Sequence, residues 1–564
     1  MSLFEDILAS RGLDGATRTS FLSPQYESRH DPFLLPDMEP AVERLVKAHD
    51  SGERVMIYGD YDIDGLTATT VLLDALENFG FKGVEAFIPN RFVEGYGLTV
   101  DAVERIAKMG AQIIVTVDCG SLSEKEIIRA NELGVDIIVT DHHNVAPIQP
   151  PAIAVINPKR LLMEYPEEYD HYVLRQDSKY QGKIYPFLDL AGVGVAFKLV
   201  QGLQTRLKGL PIGQEKWLLD LVALGTVCDV VTLIDENRVN VYWGLKVLAK
   251  TRRPGLQALM TVAGIEPEKV NARHLGFGLG PRMNAAGRLE TAQHALDMLR
   301  AKEGMAALEK AQQLDTLNVA RRSDQDKIFK AAILQAGQFL SDPVLVVSHP
   351  DWNHGIIGIV AAKLLEKYKK PAYVLQEMGS ESKGSARSYG DFSAADAIRA
   401  ADDIITKGGG HKLAAGVTLP TENIAAFRQR VNEFYRSQKL FNQEALLLPK
   451  ADTSLLDFTD LHEHLLEELA QLEPFGNGNP EPVLKIEKVL VINQRRMGAD
   501  AQHVKLELQD MNRRAVQFLA FNAPENFFVQ PGEYVTVWFQ PTINEWQGRR
   551  SVEGRLLHLE LENE

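Results

Sequence analysis

Cysteine is scarce: only Cys119 and Cys228 occur in 564 residues, too few for a disulfide framework. The fold must therefore rest on its hydrophobic core, and a reducing, cytoplasmic setting is expected. Long apolar runs are missing too. No stretch approaches the roughly 18 uninterrupted apolar residues of a membrane-spanning helix. The opening "MSLFEDILAS" has neither the basic nor the apolar region of a secretory signal. Excess positive charge is also lacking, since 61 Lys and Arg stand against 76 Asp and Glu, a net of −15. That balance excludes a generally basic nucleic-acid coat, so a polyanionic partner has to be held by local patches or through metal. Internal repeats and low-complexity tracts are absent, which excludes solenoids and long disordered segments.

What is present is 45% hydrophobic residues in a chain long enough for three or four domains. Residues 1–45 read as an irregular, Pro-punctuated leader with one short helix. Residues 46–235 alternate apolar runs (54–58, 83–88, 112–117, 135–140, 153–156) with amphipathic segments, the pattern of an α/β, doubly wound parallel sheet. Residues 236–340 lack strand signals and read as a helical connector with one long helix near 305–339. A mixed α/β unit follows over 341–445. Residues 446–564 carry five alternating runs, suiting an all-β OB-fold barrel.

The stretch "YGDYDIDGLTATT" sets Asp60, Asp62 and Asp64 on alternate positions where the first strand turns into a helix. Two more buried strands end in acids, at Asp118 in "VTVDCG" and at Asp141, His142, His143 in "VTDHH", and a helix-like segment carries Asp229. In an open parallel sheet, ligands gather beyond the carboxyl ends of the strands, so these side chains can meet. One such aspartate is an ordinary helix cap. Together they would repel and desolvate one another without a cation. The inventory suits two divalent ions roughly 3.5 to 4 Å apart, and oxygen-rich ligation with a histidine selects Mn²⁺ or Mg²⁺.

In this order, "DYDIDG", "VDCG" and "TDHH" resemble the DHH phosphoesterase superfamily. The blocks "HDPFLLPDM", "LAGVGVAFKL", "GPRMNAAGRLE", "GGGHKLAAG" and "LEPFGNGNPEP" extend that resemblance over nearly the whole chain, toward its single-strand exonucleases. It implies a DHH domain, the connector, a DHHA1 domain and an OB-fold. The implied activity is metal-dependent removal of nucleotides from 5′ ends of single-stranded DNA, in repair and recombination, with no covalent enzyme intermediate. Implied metal ligands are Asp62, Asp64, Asp118, His142 and Asp229, with Asp60, Asp141 and His143 supporting. Arg91, Ser385 and Arg387 would take the terminal phosphate. Gly409, Gly410 and His411 would offer further donors, and Arg282, Asn284 and Arg288 would line the strand's channel. A monomer working with a single-strand binding protein and a helicase is the implied setting.

In the C-terminal region, basic pairs (Arg495 and Arg496, Arg513 and Arg514, Arg549 and Arg550) interleave with Phe518, Phe521, Trp538 and Trp546, as in single-strand-binding barrels. Phe518 and Trp538 are expected to fill the barrel, and Trp546 in "NEWQGRR" to stand at an exposed hairpin tip. An insertion at about 161–183 reads as a surface hairpin or a partner-docking element. Two other readings differ at definite places. A metal-free nucleic-acid-binding subunit would lack motif acids that are all present here. A DHH phosphodiesterase acting on short oligonucleotides or cyclic dinucleotides would lack the barrel.

Overall fold

The structure, a computed structural model, describes residues 2–171, 182–440, 443–546 and 548–562. The chain forms two compact units, one of Met1–Pro281, Ala295–Glu309 and Pro449–Glu564, the other of Arg282–His294 and Lys310–Leu448. The first unit holds the parallel sheet: β1 (Val55–Gly59), β2 (Val84–Phe87), β3 (Ile113–Val117), β4 (Asp136–Thr140) and β5 (Ala154–Ile156). Their order is β2-β1-β3-β4-β5, every pair parallel. β1 and β3 are buried throughout, which is why they read as continuous apolar runs rather than alternations. From β1 the chain steps first to β2 on one side and then to β3 on the other. The topological switch, with its crevice, therefore falls between the carboxyl ends of β1 and β3.

The helix Ile63–Phe79 after β1 is buried on nearly every side, against Gly192–Gln204 and Leu219–Cys228. Its all-round apolar sequence follows from that position. Val100–Lys108 is the contrasting surface case, burying only Ala102, Val103 and Ile106. Of the 161–183 insertion, the described part is two short helices, Leu161–Glu164 and Pro166–Tyr169, and not a hairpin. Residues 172–181 lie outside the described residues. Among the described residues no helix is long and apolar enough to cross a membrane.

The second unit is built on a mixed sheet of β6 (Leu345–His349), β7 (Ala372–Met378), β8 (Glu381–Arg387), β9 (Lys407–Gly410) and β10 (Ala414–Pro420), in the order β6-β7-β8-β10-β9. One face packs on Ala394–Arg399 and Ile424–Ser437. The other packs on Ile357–Tyr368 and on Ile328, Ala332 and Ala336, from the helix Gly304–Ala336 that the connector was expected to contain.

The barrel belongs to the first unit. β12 (Leu484–Met497), β13 (His503–Gln509), β14 (Ala515–Ala520), β15 (Tyr534–Trp546) and β16 (Arg549–Leu561) close through a β12–β15 pairing, and the short β11 (Thr453–Leu455) adds to β12. Here the leader departs from its expected irregularity. It carries the helices Leu3–Ser10 and Gly15–Leu22, and Phe4, Ile7 and Leu8 enter the barrel's core cluster. A 3.6-residue apolar stripe in an eight-residue helix is a weak signal, and its partner lies about 450 residues away. Phe518 fills the barrel as expected, whereas Trp538 is half-buried and packs at a tilt of 60° against the His558 ring. The core positions on that strand are Val535, Val537 and Phe539.

Arg238 ties the barrel segment to the helix Asp235–Leu248. Its buried guanidinium donates to the carbonyls of Phe21, Leu472, Pro474 and Glu473 at 2.9 to 3.4 Å. Burial lowers its pKa to about 10, so its charge is retained at neutral pH. Arg238→Ala leaves these carbonyls without their donor, at about 1 to 3 kcal/mol for each buried acceptor left unsatisfied. A drop in Tm of several degrees, read by differential scanning calorimetry, is the expected result.

Candidate metal centre

The acid-rich turn follows β1 directly. Asp62 caps the helix Ile63–Phe79, its Oδ1 accepting from the amides of Asp64 at 2.9 Å and Gly65 at 3.2 Å. One oxygen of Asp62 is thus occupied by the cap. Asp64 turns the other way, where its two oxygens accept from the Gly192 amide at 2.6 Å and the Val193 amide at 2.9 Å. The positive end of the helix Gly192–Gln204 holds this carboxylate in place. Gly65 permits the close turn, because a Cβ there would lie 2.5 Å from the Asp60 carbonyl oxygen.

Asp118 ends β3 in a left-handed conformation, φ 61°, which aspartate tolerates better than most residues. Past β4, Asp141 is saturated. It accepts from the amides of Ser121, His142 and His143 and from the His143 ring, all at 2.7 to 3.0 Å. It is a positioning residue that fixes the His142 and His143 backbone. Burial pushes its carboxyl up, but the His143 hydrogen bond and the neighbouring imidazoles outweigh that and hold it below the usual carboxylate range. Asp229 arrives from the carboxyl end of Leu219–Cys228.

These elements bring the side chains together. His142 Nε2 lies 3.1 Å from Asp118 Oδ1, 3.6 Å from Asp229 Oδ2 and 3.8 Å from Asp64 Oδ2. Asp60, Asp62 and Asp118 form a second cluster, with one oxygen from each within 4.8 Å of the others. The carboxylates crowd one another in a buried setting, and each raises its neighbours' proton affinity. Burial and then Asp62 push Asp64 up to about 7, and burial with Asp64 and Asp62 pushes Asp229 up to about 9. Asp60 and Asp118 rise for the same reasons. Burial and then His143 lower His142 to about 3, leaving a neutral imidazole, the ligating form. Among the described residues, Asp60 Oδ1, Asp118 Oδ1 and His142 Nε2 are buried with no hydrogen-bond partner. Three orphaned lone-pair donors in two overlapping clusters fit hard divalent cations.

Some supporting residues were not singled out by the acidic motifs. Asn157 donates to Ser121 Oγ and to the His143 carbonyl, both at 2.9 Å, and the Tyr96 hydroxyl lies 3.2 Å from the His143 ring. Gly192 is the most demanding of them. A Cβ there would sit 2.7 Å from Asp118 Oδ1, so Gly192→Ala must displace the Asp118 carboxylate. The expected result is a loss of Mn²⁺ affinity of about 10- to 100-fold, checked by titration calorimetry.

The residues expected from the sequence to meet phosphate divide between the units. In the first, the Arg91 guanidinium stacks 4.2 Å over Tyr61, the neighbour of Asp60. In the second, Ser385 and Arg387 lie on β8, and Arg387 Nη1 donates to Ser385 Oγ at 3.3 Å. Gly358, in the first turn of Ile357–Tyr368, faces both, so the absence of a Cβ leaves room beside them. Burial alone lowers the Arg387 pKa, with no carboxylate contributing. Gly409 and Gly410 lie on the exposed edge strand β9, and the His411 amide donates to the Ala414 carbonyl at 2.8 Å. Arg282 pairs with Asp315 at 2.8 Å, Arg288 donates to the Gly355 carbonyl at 3.0 Å, and Asn284 lies half-buried on their helix. Trp546 ends β15, and its side chain lies outside the described residues.

Acids and a histidine at the carboxyl edge of a parallel sheet, followed in sequence by a mixed sheet and a closed barrel, define a DHH-type phosphoesterase. Residues 54–226 match the DHH family, N-terminal domain, residues 341–437 the DHHA1 domain, and residues 453–558 the RecJ OB domain. The chain is 32% identical over 541 residues to the single-stranded-DNA-specific exonuclease RecJ of Salmonella typhimurium, covering 92% of this chain and 89% of that protein. It is 35% identical over 553 residues to the Bacillus subtilis protein of that name, covering 97% of this chain and 66% of the longer relative. The crystal structure of Thermus thermophilus RecJ in complex with Mn²⁺ matches with a TM-score of 0.80 at 28% identity, over 100% of this chain and 79% of that one. The chain belongs to the RecJ family of single-stranded-DNA-specific exonucleases.

Proposed function

We propose that this chain hydrolyses single-stranded DNA exonucleolytically, in the 5′ to 3′ direction, with two Mn²⁺ or Mg²⁺ ions held by Asp60, Asp62, Asp64, Asp118, His142 and Asp229. The observation that carries the reading is the convergence of buried Asp60 Oδ1, Asp118 Oδ1 and His142 Nε2, none of which makes a hydrogen bond among the described residues. When bound, such ions act as Lewis acids on the phosphodiester and lower the pKa of water. The chain's own residues do the positioning. Amides of Gly192 and Val193 orient Asp64, Asp141 fixes the histidine pair, and Asn157 clamps the His143 backbone.

Arg91, and separately Ser385 and Arg387, present donors for phosphate oxygens, while the amides of Gly409 and Gly410 and the ring of His411 add further ones. Arg282, Asn284 and Arg288 are the proposed strand contacts. The chain is proposed to work as a monomer. A cytoplasmic setting, with a helicase and a single-strand binding protein presenting the strand, is the corresponding context. Single strands labelled at the 5′ or the 3′ end, digested with Mn²⁺, test the reading. Immediate release of the 5′ label as mononucleotide, with gradual shortening of the 3′-labelled strand, is expected. Early loss of the 3′ label, or equal cutting of duplex DNA, would overturn it.

A further inference from the structure

We infer that Phe277 is a base-stacking station on the strand's path between the metal centre and the barrel, an assignment that rests on the nuclease reading above. The segment Leu275–Leu279 is a π-helical turn, a form that bulges a helix outward. Leu275 and Leu279 are fully buried, whereas Phe277 between them is 77% exposed. Its neighbours are glycines. A Cβ at Gly278 would lie 3.0 Å from Ile265 Cδ1, and one at Gly276 would lie 3.8 Å from Val227 Cγ1, so the backbone of the turn is seated on the core beneath. A single exposed apolar side chain is ordinary. A phenyl ring held out on a rigid, glycine-flanked turn is a more specific arrangement, and its surroundings say what it meets.

On one side the turn touches Cys228 and Ile63, the sequence neighbours of two proposed ligands. The Leu275 carbonyl accepts from Cys228 Sγ at 3.5 Å, next to Asp229. Gly280 lies so close to Cys228 Sγ and Ile63 Cδ1 that a Cβ would come within 2.7 and 3.3 Å of them, and Ile63 adjoins Asp62. On the other side the turn leads to the barrel. The Arg273 guanidinium stands 6.0 Å from the Phe277 ring, and its Nη1 is 3.8 Å from Glu481. Glu481 in turn pairs with Arg555 of β16 at 2.7 Å. On the adjoining strands Lys485 lies 4.9 Å over Trp538. An exposed aromatic face with a cation beside it, as Phe277 has in Arg273, is what a single strand with stacked bases and charged backbone requires, and Glu481 holds Arg273 and Arg555 on the way to the barrel. The ligand class is an unpaired nucleic acid base downstream of the scissile phosphate.

The test compares the full-length wild type with Phe277→Ala, Phe277→Leu and Phe277→Trp. Cleavage is followed on a long 5′-phosphorylated single strand and on a dinucleotide that cannot reach the turn. The ratio of kcat/KM, long over short, is expected to fall about fivefold to a hundredfold in Phe277→Ala. Phe277→Leu should fall with it, since leucine restores bulk but offers no π face, and Phe277→Trp should keep the ratio. Strands carrying 2-aminopurine at successive positions, bound to metal-free protein, should show one strongly quenched position that Phe277→Ala releases. An unchanged ratio in both Phe277→Ala and Phe277→Leu, or recovery by leucine, would overturn the assignment. A wild type that cuts neither substrate would contradict the nuclease reading instead, and the 2-aminopurine profile would still decide the role of Phe277.

Discussion

Asp118→Ala is expected to lower hydrolysis of single-stranded DNA by about a thousandfold or more, and His142→Ala to do the same. Two-metal assistance contributes several kcal/mol of transition-state stabilisation, and about 4 kcal/mol corresponds to three decades in rate. Asp118 Oδ1 and His142 Nε2 are the pair that face each other at 3.1 Å without a hydrogen bond, so removing either opens the centre. Strand binding draws on residues elsewhere, and its affinity should change by less than about tenfold. Single-turnover kinetics with Mn²⁺, alongside fluorescence-anisotropy binding, separates the two effects. Substantial turnover by both variants would show that the clusters are not the catalytic metal site. Asp141→Asn is a useful contrast. Its single oxygen can keep the acceptor toward the His142 and His143 amides but gives up the one toward the Ser121 amide and weakens the hold on the His143 ring, and it should still cost less than loss of a ligand.

The second large effect concerns the strand's end. Arg387 is half-buried on β8, where its guanidinium donates to Ser385 Oγ and the Ala386 carbonyl, and among the described residues no carboxylate pairs with it, so it is placed to receive an anion. Arg387→Ala should reduce the preference for a 5′-phosphate over a 5′-hydroxyl by about tenfold to a hundredfold, the roughly 1.5 to 3 kcal/mol of a charge-assisted hydrogen bond. Arg91→Ala should act in the same direction. Competition between phosphorylated and hydroxyl strands reads this directly, and equal losses on both would show that these arginines do not read the terminus.

Much of this was legible in the sequence, for physical reasons. Parallel strands buried on both faces have to be apolar throughout, and their acidic ends stand out against that background, which is how Asp60, Asp118 and Asp141 were found. The long connector helix declared itself by composition. What stayed hidden depends on distant partners. The helix Leu3–Ser10 owes its burial to barrel residues at the far end of the chain, and Arg238 is defined by carbonyls, which have no sequence signature. Gly192 and Val193 act through backbone amides, so the block "LAGVGVAFKL" could be recognised without revealing that it holds Asp64. Trp538 misled because strict alternation in β15 does not say which parity faces inward, and a bulge shifts the β15–β16 register between Trp538 and Phe539. The Leu3–Ser10 result also bears on experiment. Deleting the barrel would expose Phe4, Ile7 and Leu8, so point substitutions are the cleaner probe of its role.

The central claim, that the clustered carboxylates and His142 form a two-ion metal centre, is tested most directly by titrating the metal-free, full-length chain with Mn²⁺ and following free Mn²⁺ by electron paramagnetic resonance. Two ions bound per chain are predicted for the wild type, with Asp118→Asn losing at least one of them while its circular dichroism spectrum is unchanged. No saturable binding to the wild type, or the same stoichiometry and affinity in a folded Asp118→Asn variant, would contradict the account.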